Sequence, residues 1–229
     1  SPSYEAVSYT WGTEEASHPI YIDGKLFRIR ANLMSALQQF RSKQKARTLW
    51  VDAICINQAN LEERAQQVQF MRRIYEQASQ VLVWLGVGSG EGRIMRYLGP
   101  FAYFYLLRSL IKGQVQGVWQ PEYIGLARLL SNPWFQRVWV VQEIAANKRA
   151  LLCCGPFSME WPKLIEGLGF VMNILGVGLI SFAGDQADMK AKDKATAENI
   201  FKTSTSILSA ASKALTMEDF RASKLNGHH

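Results

Sequence analysis

Cysteine and histidine are scarce in this sequence. Three of each occur in 229 residues, the cysteines being Cys55, Cys153 and Cys154. An odd cysteine count without C-x-x-C spacing forms neither a disulfide framework nor a thiolate metal centre. Reduced thiols in a cytoplasmic setting are therefore expected, and no metal site. Cys55 lies near Asp52, but apolar neighbours keep such a sulfur in its thiol form. His228 and His229 read as a purification-tag remnant, and His18 stands alone in a loop. A serine nucleophile needs a base within reach, and Ser8 has no recognisable His/Asp pair. The phosphate-binding pattern G-x-x-x-x-G-K-[ST] is also missing. GVGSGEG (86–92) has the glycines without a clear helix start after them.

Dense basic blocks are absent as well. The formal charge is +7, from 26 Lys and Arg against 19 Asp and Glu, and it is dispersed, so a nucleic-acid partner is not expected. No secretory leader is recognised in the opening residues. One long charge-free run occurs, GLGFVMNILGVGLISFAG (167–184), flanked by Glu166 and Asp185. Its length is close to the ~20 residues of a membrane span. The favoured reading is a buried or oligomer-facing Gly-rich helix, and a membrane role stays open.

What is present reads as α/β. With 48% hydrophobic and 20% charged residues, the chain suits one globular domain with an appendage. YEAVSYTWG (4–12) is a short strand ending in a turn at Gly12. IYIDGKLFRI (20–29) is a hairpin around Asp23-Gly24. NLMSALQQFR (32–41) has Leu33, Ala36, Leu37 and Phe40 at helical spacing, with Asn32 placed to cap. TLWVDAICINQ (48–58) begins as a continuous apolar strand. Residues 60–79 form a helix opened by Asn60 and Glu63, with Val68, Met71, Tyr75 and Ala78 inward. VLVWLG (81–86) and ALLCCG (150–155) are buried strands. The aromatic-rich segment 97–111 is a helical insertion. Asn132-Pro133 starts a helix over about 133–147. On it Trp139 and Glu143, four residues apart, share a face. Alternating strands and helices imply a mainly parallel sheet flanked by helices.

In such sheets ligands bind beyond the carboxyl ends of the strands. Those ends supply Ser8, Tyr9, Trp11 and Gly12, then Asp52, then the loop 86–90. Aromatic faces, small residues and a carboxylate suit a nucleotide. Each has a plainer reading: Asp52 as a loop cap, Trp11 and Trp139 as core, Glu143 as the ion partner of Arg137 or Lys148.

YEAVSYTWG, NLMSALQQFR, LWVDAICINQ, ERAQQVQFMRRIYEQASQVLVWLG and PWFQRVWVVQEI together, in this order, resemble the fungal heterokaryon-incompatibility (HET) domain over roughly 4–165. The resemblance implies a cytosolic module that triggers programmed cell death after non-self recognition, usually as part of a larger protein. It divides the chain into a HET domain (1–165) and a helical C-terminal extension (166–229). HET domains are in turn similar to TIR domains, which implies a TIR-like (flavodoxin-like) sheet. WVVQE (139–143) matches their W-x-x-x-E element, whose glutamate is catalytic in NAD-cleaving members. By that resemblance Glu143 is the catalytic carboxylate. Ser8, Tyr9, Trp11, Gly12, Asp52 and Trp139 line the nucleotide site, NAD is a substrate, and no cofactor is needed. Expected partners are NAD or a related nucleotide, further copies of the chain on activation, and other parts of the incompatibility system. The competing expectation is a non-enzymatic assembly module acting through partners or membrane association. A nucleotide sensor without turnover is the third.

Overall fold

The computed structural model describes residues 3–88, 91–96, 125–126, 128–137, 139–147, 149–169, 209 and 212–223. The expectations for 97–111, for most of 167–184 and for Lys148 lie outside these residues.

The chain opens with β1 (Glu5–Tyr9), whose Val7 and Tyr9 face one side of the sheet and Ala6 and Ser8 the other. The hairpin follows as β2 (His18–Ile22) and β3 (Lys25–Ile29), paired antiparallel around Asp23 and Gly24. Both turn residues have positive φ (50° and 76°), the geometry that makes Asp-Gly a hairpin signal. Helix α1 (Ala31–Phe40) buries Leu33, Ala36 and Phe40, as their spacing dictates. Its cap differs from expectation. Arg30 holds that position with no side-chain bond, and Asn32 lies inside the first turn. There it donates to the Thr10 carbonyl (2.6 Å) and accepts from the Trp84 indole (3.1 Å).

Strand β4 is only Leu49–Trp50, because Asp52 turns the chain by accepting from the Ala53 N–H at 2.7 Å. The short helix α2 (Asp52–Cys55) takes over. Helix α3 (Leu61–Gln77) starts as expected, with the Asn60 side chain accepting from the N–H groups of Glu62 and Glu63. Glu63 does not complete the reciprocal box; it accepts from Asn57 N–H instead. Strand β5 (Gln80–Trp84) is buried on both faces.

The single helix expected over 133–147 is two pieces. Asn132 caps a 3-10 turn at Pro133–Gln136, Arg137 is extended (φ −74°, ψ 131°), and α4 covers Val140–Ala145. The interruption has a physical consequence. On a continuous helix residues six apart point about 120° away from each other and lie more than one turn apart. The extended Arg137 instead reaches Glu143 directly.

Strands β6 (Ala150–Cys154) and β7 (Phe157–Glu160) finish the sheet. The order is β4-β1-β5-β6-β7, parallel except for the antiparallel β7. Numbering only the parallel strands along the chain, this is 2-1-3-4, the order of doubly wound folds of the flavodoxin kind. The turn into β7 requires Gly155. Its φ is +54°, its N–H bonds the Gly86 carbonyl at 2.8 Å, and a Cβ there would meet the Val87 carbonyl oxygen at 2.5 Å.

The sheet separates two cores. On one face α1 packs with Val7, Tyr9, Leu82, Trp84 and Cys153. On the other, Tyr75 of α3, Trp134, Ile144 and Trp161 pack with Ala6, Val81, Val83 and Leu152. A helix over 212–223 joins this second core through Ala214 and Met217.

Candidate functional site

In a doubly wound sheet the ligand crevice lies at the carboxyl ends of the first and third parallel strands, where the crossover direction reverses. Here that point is the end of β1 beside the end of β5. Ser8 is the last residue of β1 facing the α3–α4 side, and it is 1% exposed. Its Oγ accepts from the Trp134 indole N–H at 2.7 Å and donates to the Glu143 carboxylate. Glu143, also 1% exposed, receives the Arg137 guanidinium at 3.0 Å and 3.4 Å. A buried polar chain thus runs from indole to hydroxyl to carboxylate to guanidinium.

Asp52 sits on the neighbouring strand end. It accepts from the Trp11 indole N–H at 2.8 Å and from the Tyr9 hydroxyl. Trp11 lies beneath the Arg30 guanidinium, 5.4 Å from the ring centroid. Gly12 (φ 77°) turns the chain away at once. Thr10 Oγ1, at the same strand end, is buried with no hydrogen-bond partner among the described residues.

The electrostatics follow from burial. Desolvation raises the Glu143 carboxyl above the ordinary carboxylate range, opposed by the Arg137 charge and the Ser8 hydrogen bond. Asp52 is raised for the same reason, opposed chiefly by the hydrogen bonds from Trp11 and the Ala53 N–H. Tyr9 is raised too, by burial first and the Asp52 charge second. Arg137 is the cation that acts on both carboxylates.

The strand-end residues named from the sequence form two neighbouring groups, Ser8 with Trp134, Glu143 and Arg137 on one face of the sheet, and Tyr9 and Trp11 with Asp52, followed by Gly12, on the other, with the Arg137 charge acting on both carboxylates. Trp139 does not join them. It precedes α4, with its carbonyl accepting from the Glu143 N–H at 3.1 Å, and the residue is 44% exposed. The one-face expectation assumed that both residues were helical, and Trp139 is not. Its ring instead lines a groove of about 410 Å³ with Val68, Ala146 and Phe220. Besides Trp11, the indole that reaches the site is Trp134, a contact hidden from the sequence because its partner Ser8 is 126 residues away. Of the two ion partners considered for Glu143, Arg137 is paired with it, and Lys148 lies outside the described residues. No cluster of metal-ligating side chains occurs among the described residues.

The model of the heterokaryon incompatibility protein (HET) family matches residues 4–143, more than half of the chain. The chain belongs to the HET family. The HET match ends on Glu143 itself. A curated relative, heterokaryon incompatibility protein 6, OR allele, of Neurospora crassa, is 30% identical over 219 residues, covering 76% of this chain and 32% of its own length. The chain therefore spans about a third of the curated relative it matches. No solved structure matches it significantly. Among the described residues, no helix of this HET domain is long and apolar enough to cross a membrane.

Proposed function

We propose that this HET domain is a cell-death module of fungal non-self recognition and that it acts as an NAD glycohydrolase, with Glu143 as the catalytic carboxylate. The observation that carries the reading is the position of Glu143: an acidic side chain buried at the topological switch point, bonded to Ser8 and sharing Arg137 with Asp52. Thr10 Oγ1 supports it, since a buried hydroxyl without a partner costs about 1–3 kcal/mol that a ligand contact would offset.

The chemistry asks little of the protein. When the nicotinamide–ribose bond breaks, the ring nitrogen takes the bonding pair and leaves neutral. Positive charge passes to the ribose as an oxocarbenium ion. Water adds at that carbon and loses a proton, giving nicotinamide, ADP-ribose and H⁺. No general acid is needed. A carboxylate in a low-dielectric setting stabilises the developing cation. Trp11, Tyr9, Gly12 and Asp52 would hold the nucleotide.

The described form is closed: Glu143 is almost fully buried and its oxygens are engaged by Ser8 and Arg137. Turnover on this reading requires the Arg137–Glu143 pair to part. The same pairing favours a second reading, a non-enzymatic assembly module in which the pair only fixes the fold and exposed apolar groups such as Trp139 and Phe70 meet other copies. Incubating concentrated protein with NAD, and separating the products, decides between them. The hydrolase reading expects nicotinamide and ADP-ribose from the parent protein. The assembly reading expects intact NAD together with larger particles in light scattering.

A further inference from the structure

The helix over 212–223 lies beyond the 4–143 segment that defines the family match, yet it grips both ends of the segment bearing Glu143. At one end Lys213 Nζ donates to Gln136 Oε1 at 3.2 Å. At the other, Arg221 Nε donates to the Asn147 carbonyl at 3.3 Å. Asn147 is itself anchored, its side chain donating to the carbonyls of Tyr75 (2.9 Å) and Ala78 (2.6 Å) at the end of α3. Between these points Ala214 and Met217 are buried in the core that contains Ile144 and Trp134.

A second route leads from the helix to the site. Glu218 is paired with Arg221 at 3.0 Å and accepts from the Trp161 indole N–H at 2.6 Å. The Trp161 ring meets the Trp134 ring edge-on, centroids 6.4 Å apart. The Trp134 N–H then holds the Ser8 hydroxyl that donates to Glu143. Breaking an ion pair of this kind leaves a buried charge uncompensated, so the groups resist separation. Arg221, 5% exposed, is such a group.

We infer that helix 212–223 is a clamp that holds the 137–147 segment in its closed setting, so that displacing the helix frees the Arg137–Glu143 pair. Any partner that competes for the apolar side of the helix at Ala214 and Met217 would then open the site. The part of this inference concerning turnover rests on the hydrolase reading; the clamp itself does not.

Hydrogen exchange on the whole chain tests it, comparing the parent with Met217→Asp, which places a charge in the helix's buried contact. The clamp predicts that amides of 140–147 exchange at least about tenfold faster while those of 81–84 in β5 keep their parent rates. Loss of protection confined to 212–223, with 140–147 unchanged, would overturn it. If Met217→Asp exposes β5 as well, Glu218→Gln decides. That variant keeps an acceptor for Trp161 but cancels the charge paired with Arg221. Faster exchange in 140–147 supports the clamp, and parent rates there overturn it. Nicotinamide release is followed in parallel. Faster release from the loosened variant supports a closing role, and slower release contradicts it. Faster exchange with no release from either protein keeps the clamp and removes the hydrolase.

Discussion

Glu143 and Arg137 form a pair whose two members are unequally buried, 1% against 21% side-chain exposure. Removing the cation leaves the carboxylate uncompensated. Arg137→Ala is expected to lower stability by about 3–5 kcal/mol in urea unfolding at neutral pH. Arg137→Lys, which keeps the charge and loses the planar fork, should cost less. The pH dependence has a definite sign. The folded-state pKa of Glu143 is raised by desolvation, so the folded state holds this proton more tightly than the unfolded chain. Its stabilising contribution is full below the ordinary carboxylate pKa and is lost as pH rises through the raised folded value. Unfolding curves of the parent and of Glu143→Gln between about pH 4 and about pH 8 should therefore converge or cross in the variant's favour as pH rises. A difference independent of pH would contradict the assigned shift. The thiols give a separate check. Burial pushes Cys153 up to about 12, Cys154 is buried, and Cys55 is exposed. A thiol reagent on the folded protein should label Cys55 first and leave Cys153 unmodified until unfolding.

At the scale of elements, local chemistry is most predictive where a turn or cap is self-contained. Asn60 caps α3 through two backbone N–H groups, so Asn60→Ala is expected to cost about 1 kcal/mol in thermal or urea unfolding. A loss below the error of the measurement would show that the cap is replaced by solvent. Asp23-Gly24, the α1 stripe and the apolar strand β5 were legible for the same reason: each depends on residues adjacent in sequence. The failures share a cause too. The helix foreseen over 133–147 had apolar spacing throughout, but the chain is extended at Arg137, whose guanidinium pairs with Glu143 six residues on. Asn32 had the composition of a cap and is used to tie β1 to β5 through Thr10 and Trp84. Strand β7 was not foreseen, although PFSME alternates after a Gly-Pro turn; four residues give too short a period to separate from loop.

For the molecule as a whole, alternating strands and helices carried the sheet class, and strand-end reasoning gathered Ser8, Tyr9, Trp11, Gly12 and Asp52 at one edge. Glu143 entered by resemblance, and its setting shows why composition alone was silent: Ser8, Trp134 and Glu143 are joined across more than a hundred residues of chain. Trp139, the other half of the matched pattern, belongs to the groove with Phe220 instead. The account as a whole rests on the buried acid at the switch point doing chemistry rather than only fixing the fold. The direct measurement is nicotinamide release from NAD by concentrated protein, comparing the parent with folded Glu143→Gln. The account predicts release by the parent and a loss of at least about a hundredfold in the variant. Equal release from both proteins, or none from the parent, would contradict it.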